Sequence, residues 1–195
     1  MKKDIILAGV GGQGILSIAA VIGTAALEQG MHLKQSEVHG MSQRGGDVVS
    51  NLRISHQEIA SDLIPFGKAD LIIAVEPLES LRYLPYLSKK GWLISSSQHL
   101  NNIPNYPDLE EVLQAIRSVP HHILLNADTL AREAGSVKAA NMVILGAASP
   151  FLEMDFTLLE DAIRTIFIKK GEEVVDLNIR ALQAGKEVAL QEQAL

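Results

Sequence analysis

Hydrophobic and polar residues alternate along the chain in blocks that predict strands and helices in turn. Four short runs rich in apolar residues predict strands: residues 5–8, 71–75, 91–95 and 122–125. The continuous apolar run at 71–75 is typical of a strand that is covered on both faces. Three longer stretches have helical spacing: residues 15–27, 157–168 and 172–192. Pro77 predicts the start of a shorter helix that Pro85 ends or kinks, and Asp128 is the predicted N-cap of another.

Two further strands are predicted in the first third of the chain. The first covers residues 31–38, and the second, residues 47–54, alternates with the period of a strand that has one wet face. A short return strand near residues 57–61 would complete an antiparallel hairpin, and residues 96–107 form a surface loop. We therefore predict one α/β domain over residues 1–195, a Rossmann-like three-layer α/β/α fold with a mainly parallel sheet and an antiparallel hairpin.

The stretch Gly9–Gly14, with the sequence GVGGQG, joins the first apolar run to the first helical stretch. A glycine turn at a helix amino end exposes backbone N–H groups at the positive end of the helix dipole, and it admits a phosphate or another backbone. The spacing of Gly9, Gly11 and Gly14 satisfies the pattern of dinucleotide-binding turns. Such folds also need an acidic residue about twenty positions further on to hold the ribose, and Glu37 is the candidate.

Composition narrows the chemistry that this chain can supply. Its 195 residues are 47% hydrophobic, enough for a full core, and none is cysteine. The chain therefore offers no disulfide, no cysteine nucleophile and no thiolate for zinc or an iron–sulfur cluster. The net charge of −6 disfavours nucleic acid as a partner.

The amino terminus has some features of a secretion signal, because Lys2 and Lys3 precede an apolar stretch. Asp4 and the glycine turn interrupt what would be the apolar core of that signal. Residues 15–27 are also too few for a spanning helix, which needs roughly 20. The sequence thus favours a cytoplasmic protein without a membrane segment.

Four separated motifs together resemble one family. They are GVGGQG at 9–14, SEVHGMSQRGG at 36–46, FGKADLIIAVE at 66–76 and NMVILG at 141–146. In order and spacing they resemble the gamma subunit, or gamma domain, of 2-oxoacid:ferredoxin oxidoreductases over roughly residues 4–190. The second motif is most similar to that of the small (beta) subunit of the indolepyruvate type.

The resemblance implies a subunit without redox groups of its own. Thiamine diphosphate and the iron–sulfur clusters would belong to a large partner subunit, and coenzyme A would be a co-substrate. The complex would oxidatively decarboxylate an arylpyruvate to an acyl-CoA and pass electrons to ferredoxin. This chain would form part of the active-site wall and help to receive coenzyme A.

The candidate contacts to substrate, coenzyme A or the partner are Gly9, Gly11, Gly12, Gln13, Gly14, Glu37, Arg44, Gly45 and Gly46. The guanidinium of Arg44 suits bidentate contact with a carboxylate or phosphate, the alternative being a surface ion pair. Glu37 is more simply explained as a partner for Arg44 or for a group across an interface than as a ribose ligand. For the glycines, close helix–strand packing is the alternative to contact with an anion or a partner backbone. His39 is a candidate proton carrier or a structural histidine. The two adjacent histidines at 121–122 have no second cluster of possible metal ligands at a recognisable spacing, so no metal site is predicted.

Three other functions stay open at this level. The chain is alternatively the gamma subunit of a pyruvate or 2-oxoglutarate ferredoxin oxidoreductase, or a scaffolding subunit that never touches substrate. A free-standing dinucleotide-binding oxidoreductase would use the glycine turn with Glu37, although no Tyr-x-x-x-Lys pair accompanies them. A second copy of the chain is an alternative partner to the large subunit.

Overall fold

The computed structural model describes residues 1–40, 46–101 and 103–193. Within these ranges, six strands form one sheet: β1 (Lys2–Val10), β2 (His32–His39), β3 (Asp47–Ser55), β4 (Ala69–Ala74), β5 (Leu87–Ser96) and β6 (His122–Leu125). The strand order is β2-β3-β1-β4-β5-β6. Strands β1, β4, β5 and β6 are parallel, whereas β3 runs antiparallel to both β1 and β2.

Helices cover both faces of the sheet, and seven α-helices lie in the described ranges. They are α1 (Ile15–Glu28), α2 (Pro77–Arg82), α3 (Leu109–Arg117), α4 (Ala127–Ala134), α5 (Ala140–Ala148), α6 (Phe156–Phe167) and α7 (Glu172–Gln193). Helices α1 and α4–α7 bury their apolar side chains in the larger core on one face, while α2 and α3 build a smaller core on the other. None of the helices in the described part has both the length and the apolar character that crossing a membrane requires.

The predicted three-layer α/β/α fold with a mixed sheet is confirmed, but the predicted hairpin partner was wrong. Strand β3 pairs with β2 and β1, so residues 57–61 have no free strand edge beside them and form no strand. The chain instead leaves the sheet after β3 and crosses its face. Arg53 holds it there by donating to the carbonyl oxygens of Ser61 and Leu63, both at 3.0 Å.

One helix begins at a different residue from the sequence prediction, and one helix was not predicted. The N-cap of α4 is Asn126, whose side-chain oxygen accepts the Thr129 N–H at 3.0 Å, and Asp128 lies inside the first turn. Helix α3 was not predicted, although its N-cap Asp108 and three buried apolar residues on one side are typical of an amphipathic helix. Pro85 acts as expected, because α2 ends at Arg82 and a single 3₁₀ turn follows.

Helices α5 and α7 meet at two glycines, one on each helix. A Cβ atom on Gly146 would collide with the carbonyl oxygen of Leu182, and one on Gly185 with that of Val143. The two backbones therefore touch directly. This contact gives a packing reason for the last residue of the NMVILG motif and lets α7 lie across the whole of α5.

Candidate functional site

The glycine turn lies at the carboxyl edge of the parallel strands, between β1 and α1. Strand order reverses at β1, since the chain leads from β1 to the β3 side and later to the β4 side. Ligands of open α/β sheets bind in the crevice at such a switch point. Gly12 and Gly14 have positive φ angles of 99° and 79°, which L residues rarely adopt, so the turn needs glycine there.

Most residues of the glycine turn already contact other parts of the chain and leave little free space beside them. The Gln13 side chain folds back, and its oxygen accepts the Val10 N–H at 2.8 Å. A Cβ on Gly9 would collide with the side chain of Val75, and one on Gly14 would press against Asn141. Gly12 differs, because a Cβ there would meet no atom of the described structure within 4 Å.

The NMVILG motif supports the glycine turn through its first residue, Asn141. Asn141, at the start of α5, donates its side-chain N–H to the carbonyl oxygen of Gly14 at 3.1 Å. It therefore supports the turn from outside rather than capping its own helix, whose N-cap is Ala139. This contact joins residues 127 positions apart, which no local pattern predicts.

The last residue of the SEVHGMSQRGG motif, Gly46, lies beside the glycine turn. Gly11 donates its N–H to the carbonyl oxygen of Gly46 at 2.9 Å, and Gly40 donates to that of Asp47 at 2.8 Å. The structure thus brings Gly46 next to the glycine turn. Arg44 and Gly45 lie outside the described residues.

Glu37 and His39 lie together near the end of β2. The His39 Nε2 is 3.3 Å from a Glu37 carboxylate oxygen, and Gln35 donates to the other oxygen of that carboxylate. Strand β3 separates β2 from β1, so Glu37 is two strands away from the strand that carries the glycine turn. That position does not favour its use as a ribose ligand for a phosphate at the turn.

Three cavities surround the turn. One of about 180 Å³ lies between Gly12, Ser96 and Asp128. A second, of about 350 Å³, lies between the turn and α7 and is lined by Lys138, Lys170 and Asn178 among others. The third, of about 320 Å³, includes His39.

The two lysines of the second cavity were not predicted from the sequence, because each is an ordinary exposed residue within its own segment. Lys138 lies in a 3₁₀ turn between α4 and α5, and Lys170 in one between α6 and α7. The tertiary structure places both beside the amino end of α1. Ammonium groups next to the positive end of a helix dipole give a cleft that favours anions.

A cluster of carboxylates and tyrosines occupies the other side of the carboxyl edge. Glu76, the last residue of the FGKADLIIAVE motif, is 1% exposed; it caps α2 by accepting the Glu79 N–H and also accepts the Tyr106 hydroxyl at 2.6 Å. Burial raises the pKa of Glu79, although its ion pair with Arg82 opposes the shift. Within the described residues, no three His, Asp or Glu side chains are placed to hold a metal ion.

We expect Tyr83 to ionise well above the ordinary tyrosine range. Burial, with the nearby Asp47 carboxylate, raises its pKa to about 12, against about 10 in an unfolded chain. Between these values the unfolded chain releases a proton that the folded chain keeps, so stability falls as the pH rises from 10 to 12. Subtracting the tyrosinate absorbance of Tyr83→Phe from that of wild type isolates the titration of Tyr83. Its midpoint should lie near pH 12 in the folded protein and near pH 10 in urea. A folded midpoint near 10 would contradict the burial of this phenol.

The family model described as pyruvate ferredoxin/flavodoxin oxidoreductase matches residues 4–188. The chain belongs to this family. It is 38% identical to indolepyruvate oxidoreductase subunit IorB of Archaeoglobus fulgidus, with 97% of this chain and 96% of the relative covered. The corresponding subunit IorB of Thermococcus kodakarensis is 35% identical, with 97% of both chains covered.

Some relatives are much longer. Ketoisovalerate oxidoreductase subunit VorA of Methanothermobacter thermautotrophicus is 28% identical over 94% of this chain, but the match covers only 35% of that subunit.

Solved structures share the fold. The gamma subunit of a keto/oxoacid ferredoxin oxidoreductase from Geobacter sulfurreducens matches with a TM-score of 0.74 at 24% identity, covering 97% of this chain and 99% of that one.

The 2-oxoglutarate:ferredoxin oxidoreductase of Magnetococcus marinus, solved with 2-oxoglutarate, coenzyme A and succinyl-CoA bound, matches all of this chain. Its TM-score is 0.77 at 23% identity. The present chain spans 31% of that longer chain.

Proposed function

We propose that this chain is the small, non-redox subunit of a thiamine-diphosphate-dependent oxidoreductase that acts on indolepyruvate or a related arylpyruvate. The observation that carries this proposal is the end-to-end similarity, at 35–38% identity, to subunits named for indolepyruvate oxidoreductase. The weaker relatives named for 2-oxoglutarate and ketoisovalerate are 27–29% identical. We therefore propose the substrate class after which the more similar relatives are named, an indolepyruvate.

In the proposed reaction the arylpyruvate loses carbon dioxide, and the remaining acyl group is transferred to coenzyme A. The two electrons released reduce two ferredoxins. Thiamine diphosphate would supply the carbanion chemistry when bound. Since this chain has no cysteine, the iron–sulfur clusters are assigned to the large partner subunit, together with the thiamine cofactor.

We assign to the glycine turn a contact with coenzyme A or with the partner. Lys138 and Lys170 face the same cleft as the amino end of α1, so this cleft suits a phosphate of coenzyme A. Gly12 fits close contact better than Gly9 or Gly14, because no atom of the described residues fills the space beside it. Gly9, Gln13 and Gly14 would act by shaping the turn.

Reconstitution tests the proposed function. The isolated chain should be colourless and should not reduce a dye with indolepyruvate and coenzyme A. Co-expression with a large subunit that carries thiamine-binding and clustered-cysteine motifs should give a stable complex that turns over indolepyruvate faster than pyruvate or 2-oxoglutarate. A bound nicotinamide or flavin nucleotide, or turnover by the chain alone, would refute the proposal.

Arg44 is expected to contact an anion in the assembled complex, either the substrate carboxylate or a coenzyme A phosphate. Arg44→Ala and Arg44→Lys should both reduce turnover and leave assembly intact, since lysine keeps the charge but loses the bidentate fork. A lost charge-assisted hydrogen bond costs about 1.5–3 kcal/mol, or roughly ten- to more than a hundredfold. Varying coenzyme A and indolepyruvate separately identifies the anion.

Arg117→Ala is the control for Arg44, because Arg117 is an exposed arginine on α3 that pairs with the exposed Glu110 at 2.7 Å. It should leave both kinetic constants unchanged. If the Arg44 variants behave like Arg117→Ala, the scaffold function stands instead.

A further inference from the structure

A fourth cavity, of about 350 Å³, lies at the amino edge of the parallel strands, the opposite edge from the glycine turn. Its volume falls within the range of small-molecule sites, about 300–1,000 Å³. Its walls come from β1, β4, β5 and the segment after α5, and the proposed function does not use it. The side chains that matter below are Lys3, Asp70, Lys90, Trp92, Phe151 and Glu153.

Strand β5 is irregular where it borders this cavity. Its residues 88–91 lie opposite the single residue Asp70 of β4, so the strand bulges there. The bulge needs glycine at Gly91, because a Cβ atom at that position would lie 2.8 Å from the carbonyl oxygen of Ala69. Bulges at sheet edges often redirect a side chain toward a site. Here the redirected residue is Lys90, which lines the cavity.

The opposite wall has a second unusual backbone conformation, at Glu153. Its φ angle is 55°, and it is the only non-glycine residue of the described part with a positive φ. The Lys3 ammonium lies 2.6 Å from its carboxylate, and the Lys3 side chain is only 14% exposed. Conformations of this kind persist where the surrounding structure holds them, and they are common at ligand sites.

The cavity presents charges of both signs. Lys90 pairs with no carboxylate of the described residues. Asp70 uses its Oδ2 atom to accept the Asp4 N–H at 2.8 Å, and it lines the cavity together with Glu153. A ligand with a single charge would face groups of its own sign, whereas a ligand with both a carboxylate and an ammonium group matches the two lysines and the two carboxylates.

An aromatic pair forms the apolar part of the wall. The rings of Trp92 and Phe151 stack with centroids 4.1 Å apart and an angle of 29° between their planes. Both side chains are partly exposed, and both line the cavity. Aromatic side chains favour another ring stacked on them or packed edge to face. This wall therefore suits a ligand that carries a ring.

We propose that this cavity binds an amino acid with an aromatic side chain. The carboxylate of the ligand binds Lys90, and its ammonium group lies between Asp70 and Glu153. Its ring packs against the Trp92–Phe151 pair. The inference does not rest on the proposed function, because it involves neither the glycine turn nor a partner subunit.

Titration of the purified 195-residue chain with L-phenylalanine tests the site. Trp92 is the only tryptophan, and phenylalanine does not absorb at the wavelengths that excite it. The fluorescence should change saturably, with a dissociation constant of about 1 mM or lower. Calorimetry should show that 3-phenylpropionate and 2-phenylethylamine, which lack the ammonium and the carboxylate respectively, each bind about tenfold or more weakly. L-Leucine, which lacks the ring, should bind about threefold or more weakly.

Charge-removing variants locate the ligand. Lys90→Gln and Asp70→Asn should each weaken phenylalanine binding by about tenfold or more. The asparagine oxygen still accepts the Asp4 N–H, so the fold is retained. The matched control is Lys89→Gln, because Lys89 is the exposed neighbour of Lys90 and does not line the cavity. It should bind phenylalanine within about twofold of wild type.

Glu153→Gly separates binding from folding. Glycine adopts a positive φ without strain, so the thermal unfolding midpoint should equal or exceed that of wild type. Loss of the carboxylate should still weaken phenylalanine binding by about tenfold. A glycine variant that unfolds at a lower temperature and binds phenylalanine as wild type does would show that Glu153 serves the fold alone.

Three results would overturn the proposal. The first is no saturable fluorescence change up to about 10 mM phenylalanine. The second is equal affinity for phenylalanine and for any of the three comparison compounds, since the ligand would then need only part of the assigned chemistry. The third is unchanged affinity in Lys90→Gln, which would place the bound ligand elsewhere. The proposed function is tested separately, by reconstitution, and none of these results bears on it.

Discussion

Gly146→Ala and Gly185→Ala should each destabilise the chain by about 3 kcal/mol or more, at the upper end of overpacking effects. The added methyl group would overlap a backbone carbonyl of the facing helix, Leu182 in one case and Val143 in the other. Backbone cannot move aside as a side chain can, so α5 and α7 must separate along their length. Urea unfolding followed by circular dichroism measures the loss.

Gly23→Ala is the control for this helix contact. Gly23 also lies inside a helix, α1, but its Cβ would meet only the end of the flexible Leu33 side chain at 3.2 Å. Alanine gains up to about 1 kcal/mol in helix propensity, so the net change should be below about 1 kcal/mol. Equal stability of Gly23→Ala and Gly146→Ala would contradict the backbone contact.

Asp4→Asn should destabilise the chain by about 3–5 kcal/mol, the usual cost of breaking a buried ion pair from one side. The Asp4 side chain is 3% exposed and that of Arg53 is 12% exposed, with 2.7 Å between their nearest atoms. Asparagine would leave the guanidinium largely buried without its counter-charge. The same change should loosen the segment at 60–64, which Arg53 holds through two carbonyl oxygens.

The exposed pair of Glu110 and Arg117 provides the comparison for Asp4. Glu110→Gln removes an ion pair of the same 2.7 Å length but should cost less than about 1 kcal/mol, because water screens both charges.

A double variant, Asp4→Leu with Arg53→Met, should recover only part of the stability lost in Asp4→Asn. Arg53 also binds two carbonyl oxygens, which methionine cannot. Full recovery would show that these backbone contacts contribute little.

Local patterns were sufficient for the elements that are long, apolar or marked by proline and glycine. The parallel strands, α1, α6 and α7 all follow from periodicity, and the glycine turn follows from the break between the first strand and the first helix. Helix α3 was missed because it is short, although its N-cap and its apolar spacing were present in the sequence. The return strand was wrong because pairing depends on which strand edges are open, and β3 has none.

Residue identity and short-range order were enough to predict the α/β class, the family motifs and the lack of thiol chemistry. Which distant residues meet follows from the tertiary structure alone. Asn141 reaches the glycine turn, Lys138 and Lys170 share one cleft, and Arg53 holds the carbonyl oxygens of the segment at 60–64. Such contacts depend on the packing of whole helices and strands against one another, and the periodicity of a single segment does not encode them.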